Sequence, residues 1–294
     1  MDNAQLKAFV AVADSQSFSR AADQLHLTQP AVSKRIGNLE AELGQRLFDR
    51  VGHAVHLTPA GQTLLPRARR LLQDMDDAST ALSNLTGRIA GPLRIATSHH
   101  IGLRRLPALL REYTVRYPAV TLEFDFVDSE QAYHEVEQGL RELAIVTLPD
   151  EPQASVTAVP VWRERLIPCV QRDHPLARGK EVAIADLAAH RAVLLGGHTF
   201  TQQKVDQLFA AHRVELQDRT SSSYLEAIAM LVTAGQGWAL LPDIMVRDEL
   251  VALPVQPPIA IERSLGVVHH RDRTLSNAGR ALVQLLRAAA DRSV

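Results

Sequence analysis

The stretch Ser17-Phe18-Ser19-Arg20-Ala21-Ala22-Asp23-Gln24-Leu25-His26-Leu27-Thr28-Gln29-Pro30-Ala31-Val32-Ser33-Lys34-Arg35-Ile36 spells two short helices and the turn between them. Ser17 is the N-cap of a helix to about residue 25 that buries Phe18, Ala21, Ala22 and Leu25. His26 and Leu27 make the turn. Thr28 caps the second helix, with Pro30 in its first turn, where the missing N–H is no loss. Val32, Ile36, Leu39 and Leu43 point inward, and Gly44 is the expected stop. That leaves Gln29, Ser33, Lys34 and Arg35 on the outer face near the helix start.

Upstream, Leu6, Phe9, Val10 and Ala13 form one apolar stripe, which predicts a helix over residues 2–14. Downstream, residues 46–57 read as a short hairpin around Gly52-His53. Thr58-Pro59 then opens a long helix. Its apolar residues Leu64, Ala68, Leu71, Met75, Ala78, Leu82 and Leu85 alternate in steps of four and three. This heptad seam predicts a coiled coil and therefore a dimer; the alternative is an amphipathic helix lying on its own domain. Gly87, Gly91 and Pro92 end the helix and mark a hinge.

Beyond residue 92 the pattern alternates strand and helix. Strands are expected at 93–97, 120–127, 143–148, 166–171, 192–195, 214–220, 238–241 and 265–270. Helices are expected at 100–117, 130–138, 202–212, 224–234 and 276–290. Such alternation predicts a largely parallel sheet covered on both faces.

The 294 residues suffice for two or three domains, and 46% hydrophobic content provides a core. No apolar run approaches the ~20 residues of a membrane span, and the first residues lack the pattern of a secretory signal. One cysteine, Cys169, excludes an internal disulfide and a Cys-based zinc cluster. In a strand context it reads as an inert buried thiol. These features fit a soluble cytoplasmic protein. The net charge of -1 favours no partner, and residues 1–70 carry only a modest basic excess.

The outer face of the second helix has the chemistry of base reading. A recognition helix enters the major groove with its N-terminal end leading. Gln29 suits adenine, and Lys34 or Arg35 suits guanine. Pro30 or Ala31 can touch a thymine methyl, while Ser17, Ser19 and Arg50 can hold phosphates. Helix spacing alone leaves a second reading open, a small helical bundle with a solvated polar face.

The sequence resembles the LysR-type transcriptional regulators. The resemblance is carried by Phe9, residues 17–22, Leu25, residues 27–33, Ile36, Leu39-Glu40, Leu43-Gly44, Leu47-Phe48, Arg50 and Leu57-Thr58-Pro59-Ala60-Gly61. It covers the first 60 or so residues densely, and the chain length and the downstream pattern fit as well. It implies an α+β multidomain protein: an N-terminal winged helix-turn-helix, a long linker helix, then two α/β subdomains like those of periplasmic binding proteins. The divisions are expected at 1–58, 59–90 and 91–294, with one subdomain formed by 91–162 plus 268–294 and the other by 163–267. The implied partners are double-stranded DNA with an imperfect dyad, a small-molecule effector, and RNA polymerase. The implied assembly is a homodimer through the linker helix and a homotetramer of two such dimers. Family DNA contacts map onto Gln29, Pro30, Ser33, Lys34 and Arg35, with Arg50 on the wing; Thr28, at the helix start, is a further candidate contact. Gly37-Asn38 departs from the family, which more often has a larger polar residue there; Gly costs the helix about 1 kcal/mol.

In an open α/β sheet, ligands bind past the carboxyl ends of the strands. The segments Thr97-Ser98-His99 and Gly197-His198-Thr199 lie there, as do Ser129, Thr147 and Ser222. Free N–H groups and hydroxyls at these points suit a small anion, although Asp128 opposes one and favours a ligand with a donor. Adjacent histidines diverge on strand and helix alike, so neither His99-His100 nor His269-His270 predicts a metal site. No cofactor is expected. An enzyme is a weak alternative: there is no Gly-x-Ser-x-Gly elbow, no phosphate-binding loop, and Gly235-x-Gly237 is too short for a dinucleotide fingerprint. A DNA-binding architectural protein whose α/β part only oligomerises is the other.

Overall fold

The structure is a computed structural model describing residues 1–51, 54–197, 199–259 and 261–291, without the side chains of residues 50, 51, 54 and 291. The expected turn at Gly52-His53 lies outside the described residues. Contacts divide the chain into Met1–Thr86 and Gly87–Val294.

The first unit runs α1 (Asn3–Ser15), α2 (Phe18–Gln24), α3 (Gln29–Leu43), β1 (Phe48–Val51), β2 (Ala54–Leu57) and α4 (Pro59–Asn84). Each helix begins where a side chain satisfies a free N–H. Asp2 and Gln5 make a reciprocal capping box on α1, and the Ser17, Thr28 and Thr58 hydroxyls cap α2, α3 and α4. Gly44 ends α3 at φ 63°, a left-handed conformation that favours glycine. The stripes Leu6/Phe9/Val12, Phe18/Ala21/Ala22 and Val32/Ile36/Leu39 meet in one core. Phe48 from the hairpin closes it, its ring 5.4 Å from Phe9 and 5.9 Å from Phe18. The Glu40 carboxylate on α3 accepts from the backbone N–H of Leu47 at 2.7 Å and of Phe48 at 3.3 Å, tying the hairpin to the helix.

Helix α4 divides the seam expected along it. Ala68 is buried in the core of its own unit, and Leu64 packs against that core. From Leu71 the seam emerges: Leu71, Met75, Leu82 and Leu85 are exposed.

The second unit contains β3 (Gly91–Thr97), α5 (His99–Arg104), α6 (Leu106–Arg116), β4 (Val120–Phe126), α7 (Ser129–Glu137), β5 (Leu143–Thr147), β6 (Val156–Gln171), β7 (Val182–Ala183), α8 (Ile184–Ala188), β8 (Ala192–Leu195), α9 (Phe200–Ala211), β9 (Arg219–Ser222), α10 (Leu225–Thr233), β10 (Trp238–Pro242), β11 (Leu250–Ala252), β12 (Val255–Gln256), β13 (Ile261–His270) and α11 (Asn277–Asp291). The main sheet is ordered β4-β3-β5-β13-β6-β10-β8-β9, with β11 also beside β6 and β12 paired with β7.

The sheet is mixed, not largely parallel. Ladders β3–β4, β3–β5, β8–β9 and β8–β10 are parallel, whereas β13 pairs antiparallel with β6 from Val156 to Leu166. The reason is connectivity: β6 carries the chain out of one lobe and β13 carries it back. Lobe I packs Leu93, Ile95, Tyr113, Leu143, Ile145, Leu265, Val267, Leu282 and Leu286 together; lobe II packs Leu166, Val170, Leu194, Val205, Phe209, Trp238 and Ile261. The strands expected at 166–171 and 265–270 are therefore halves of longer ones. Leu265 and Val267, expected in the second subdomain, pack in lobe I.

Other differences are local. The helix expected over 100–117 is two, with Pro107 in the first turn of α6. The strand expected at 214–220 is β9, starting at Arg219. The short elements β7, α8, β11 and β12 hold two to five residues each, too few to show a period.

Candidate functional site

In the first unit, α3 presents its first turns outward. Gln29, Pro30 and Lys34 are exposed, and Ala31, Ser33 and Arg35 are half-buried. Gln29 Nε2 donates to Ser33 Oγ at 3.1 Å, so the two side chains form one polar unit. Thr28 Oγ1 accepts from Ala31 N at 3.4 Å and Ser17 Oγ from Arg20 N at 3.3 Å; Ser19 is exposed. Backbone and caps thus hold one helix end free to approach a duplex. The side chain of Arg50 lies outside the described residues.

In the second unit, a cleft between the lobes is lined by Ser98, His99, His100, Asp128, Ser129, Glu130, Thr147, Thr199, Thr201, Tyr224 and Arg263, among others. Its mouth adds Gly196, Gly197 and Ser221 to Ser223. Four helices start on it. The Thr199 hydroxyl caps α9, but no side-chain hydrogen bond caps α7 or α10. Ser98, His99, Ser129, Thr147, Thr199 and Ser222 therefore reach the cleft or its mouth. Thr97 does not: it is fully buried, and its Oγ1 donates to the Ile145 carbonyl at 2.8 Å. His198 lies outside the described residues. Ser129 Oγ accepts from Thr147 N at 3.0 Å, so part of this polar lining is already committed.

Contacts across the cleft join the lobes. The His99 ring of lobe I meets Tyr224 of lobe II edge-on, centroids 4.7 Å apart. The Glu130 carboxylate of α7 accepts from Phe200 N, the first residue of α9, at 2.7 Å. Burial raises the Glu130 pKa, an effect this hydrogen bond opposes. Lys204 Nζ on α9 reaches both oxygens of Asp150, at 2.5 and 2.7 Å.

The floor of the cleft is a buried ionic cluster that the sequence reading missed. Glu164 on β6 and Arg263 on β13 face each other across the ladder, 1% and 4% exposed. Arg263 Nη2 donates to Glu164 Oε2 at 2.8 Å and its Nη1 to Thr201 Oγ1 at 3.2 Å. Arg105 Nη2 and His100 Nε2 meet Glu164 Oε1 at 2.7 and 3.0 Å. Burial alone would raise the Glu164 pKa; the His100 hydrogen bond and the Arg263 charge overcome it and hold the carboxyl at about 2. The available signal was one charged residue at an inward position of each apolar strand, in residues 161–170 and 261–268. Among the described residues, no group of three or more His, Cys, Asp or Glu could hold a metal, and no helix is long and apolar enough to cross a membrane.

A capped recognition helix with a hairpin wing, joined in one chain to a two-lobed α/β domain with a polar cleft, defines a ligand-responsive DNA-binding regulator. Residues 4–62 match the family described as "Bacterial regulatory helix-turn-helix protein, lysR family", and residues 86–291 match "LysR substrate binding domain". The chain belongs to the LysR family of transcriptional regulators. It is 30% identical over 297 aligned positions to the DNA-binding transcriptional dual regulator OxyR of Escherichia coli, covering 99% of this chain and 96% of that one. It is 61% identical over 107 residues to an uncharacterised HTH-type regulator in the ibpB-leuC intergenic region of Azotobacter vinelandii, covering 36% of this chain and 74% of that one. A full-length OxyR structure from Pseudomonas aeruginosa superposes with a TM-score of 0.68 at 24% identity, covering 99% and 94% of the two chains. These relatives are regulators of transcription, not enzymes.

Proposed function

We propose that the chain binds an imperfect dyad in double-stranded DNA as a dimer or tetramer in the cytoplasm, and that a small molecule in the cleft sets the geometry of its DNA-binding heads. Gln29, Ser33, Lys34 and Arg35 read base edges, with Pro30 and Ala31 against thymine methyls. Ser17, Ser19, Thr28 and Arg50 fix the helix on the backbone. Residues 1–58 form the head, 59–90 the linker, and the remainder the sensor. The exposed seam Leu71/Met75/Leu82/Leu85 supports pairing through α4. RNA polymerase is the downstream partner.

The observation that carries the sensing role is the cleft itself, where hydroxyls of both lobes and the N-termini of α7 and α10 face one space. That lining supports a ligand with a carboxylate or phosphate. Asp128 and Glu130 favour one that carries a donor as well. Ser98, His99, Ser129, Thr147, Thr199 and Ser222 are its proposed contacts, and His198 is a further candidate from the sequence. The ligand prefers one relative placement of the lobes and shifts the population toward it.

The test has two readouts. A metabolite panel is screened by thermal shift, where a ligand at 100 times its Kd adds about 2.7 kcal/mol. The hit is then used in footprinting on the promoter. A changed protection length or DNA bend is expected; an unchanged footprint with saturating ligand rejects the coupling.

A further inference from the structure

His100 is the second residue of α5, in lobe I, and is 4% exposed. Its Nε2 faces Glu164 Oε1 at 3.0 Å, while its Nδ1 is buried without a hydrogen bond. Nδ1 points across the cleft to Glu226 Oε1, 3.8 Å away in the first turn of α10, in lobe II. Both Glu226 oxygens are buried and lack a hydrogen-bond partner. The Arg104 Nε of lobe I stands 3.9 Å from the same oxygen. Two lobes thus meet through a carboxylate and an imidazole that face each other at about 1 Å beyond hydrogen-bond distance.

The sign of that contact depends on one proton. Glu164 is kept ionised by Arg105 and Arg263, so Nε2 serves it as the donor. In a neutral ring with that tautomer, Nδ1 carries a lone pair, and it confronts a carboxylate oxygen. In the imidazolium, Nδ1 carries a hydrogen and the same contact becomes a charge-assisted hydrogen bond. Carboxylate oxygens buried without a donor are unfavourable, and with Arg104 standing off at 3.9 Å the imidazolium is the group placed to satisfy them.

We propose that His100 and Glu226 form a proton-operated latch between the lobes: protonated His100 holds Glu226 and keeps the cleft closed, and the neutral ring lets the lobes part. The charged groups around the ring come from every side. Glu164 lies on β6, Arg263 on β13, Arg104 and Arg105 at the end of its own helix, Glu226 on α10, and Glu130 of α7 near Arg263. Burial pulls the His100 pKa down, but the hydrogen bond to Glu164 and the Glu226 carboxylate facing the ring outweigh it and the net direction is up. A histidine whose pKa lies above the ordinary value is still the side chain suited to report a change of pH. The proton would be a second input to the regulator, acting without the effector and linked to it through cleft closure.

The test uses the full chain without effector or DNA, so its outcome is separate from the sensing and operator readings. Ala108→Cys on α6 and Ala210→Cys on α9 are exposed positions for spin labels, while Cys169 is fully buried. Inter-lobe distances are measured by electron–electron double resonance at about pH 5.5 and about pH 8. A shorter mean distance at the lower pH is expected, with a His100 imidazole midpoint by NMR above about 6.5. Glu226→Gln, half-exposed and outside the Glu164 cluster, should abolish the pH response while melting as one folded protein. Distances that do not change with pH in the parent, or a response that survives Glu226→Gln, overturn the latch.

Discussion

Cys169 lies in β6 with no exposed surface, and burial pushes its thiol up to about 12. A thiol that stays protonated at neutral pH is a poor nucleophile. Treatment with hydrogen peroxide should leave operator binding by the native protein unchanged, and iodoacetamide should label Cys169 only after denaturation. Rapid native labelling would show that β6 opens more readily than its packing implies. On the recognition helix, Ser33→Ala or Arg35→Ala should weaken operator binding by about 1–3 kcal/mol each. Measured by fluorescence anisotropy, that loss should appear with the domain's ligand-induced thermal shift intact. These surface positions were legible because cap, proline and stripe all lie within twenty residues. Glu164 and Arg263 were not, because charged neighbours stand beside each of them in sequence. Arg163-Glu164-Arg165 reads as an exposed strand face, and the partner that explains Glu164 is 99 residues away. Thr97 was misjudged for a related reason: a hydroxyl at a strand end can turn to a neighbouring carbonyl as easily as to a cleft.

At the scale of elements, two glycines of the first unit make opposite predictions. Gly37 in α3 has open space where a Cβ would stand, so Gly37→Ala should stabilise the head by about 1 kcal/mol. Gly61 in α4 is buried, and a Cβ there would lie 2.3 Å from the Leu47 carbonyl oxygen and 2.8 Å from Leu57 Cδ2. Gly61→Ala must push the helix from the hairpin and should destabilise by about 1–3 kcal/mol. Urea unfolding of both variants checks the pair; similar midpoints would mean that α4 does not seat on the hairpin as described. The helices of the head were readable from caps alone, as Ser17, Thr28 and Thr58 demonstrate. The break between α5 and α6 was not. The apolar stripe continues across it, and Pro107 sits one residue after the α6 start, where a proline fits a helix as well as it breaks one.

For the whole molecule, the proposed assembly rests on the seam on α4. Leu71, Met75 and Leu82 are exposed on the chain by itself, so Leu71→Lys with Leu82→Lys should leave the head folded and abolish pairing. Analytical ultracentrifugation should find a smaller species, and operator affinity should fall steeply because two heads no longer bind together. An unchanged oligomer would move the pairing surface elsewhere. The alternation of strand and helix gave an α/β domain and the family resemblance its two lobes, but neither gave the antiparallel centre of the sheet. Length and periodicity do not record that β6 and β13 serve both lobes at once.

That shared ribbon also orders the birth of the molecule. Lobe I is assembled from strands β3 to β5 and from β13 and α11, whose Leu282 and Leu286 complete its core more than a hundred residues later. Lobe II is spelled out in between. On the ribosome the inner lobe has its strands before the outer one is whole. The sensor therefore matures from the inside outward, and the core of its outer lobe is complete only with the last helix.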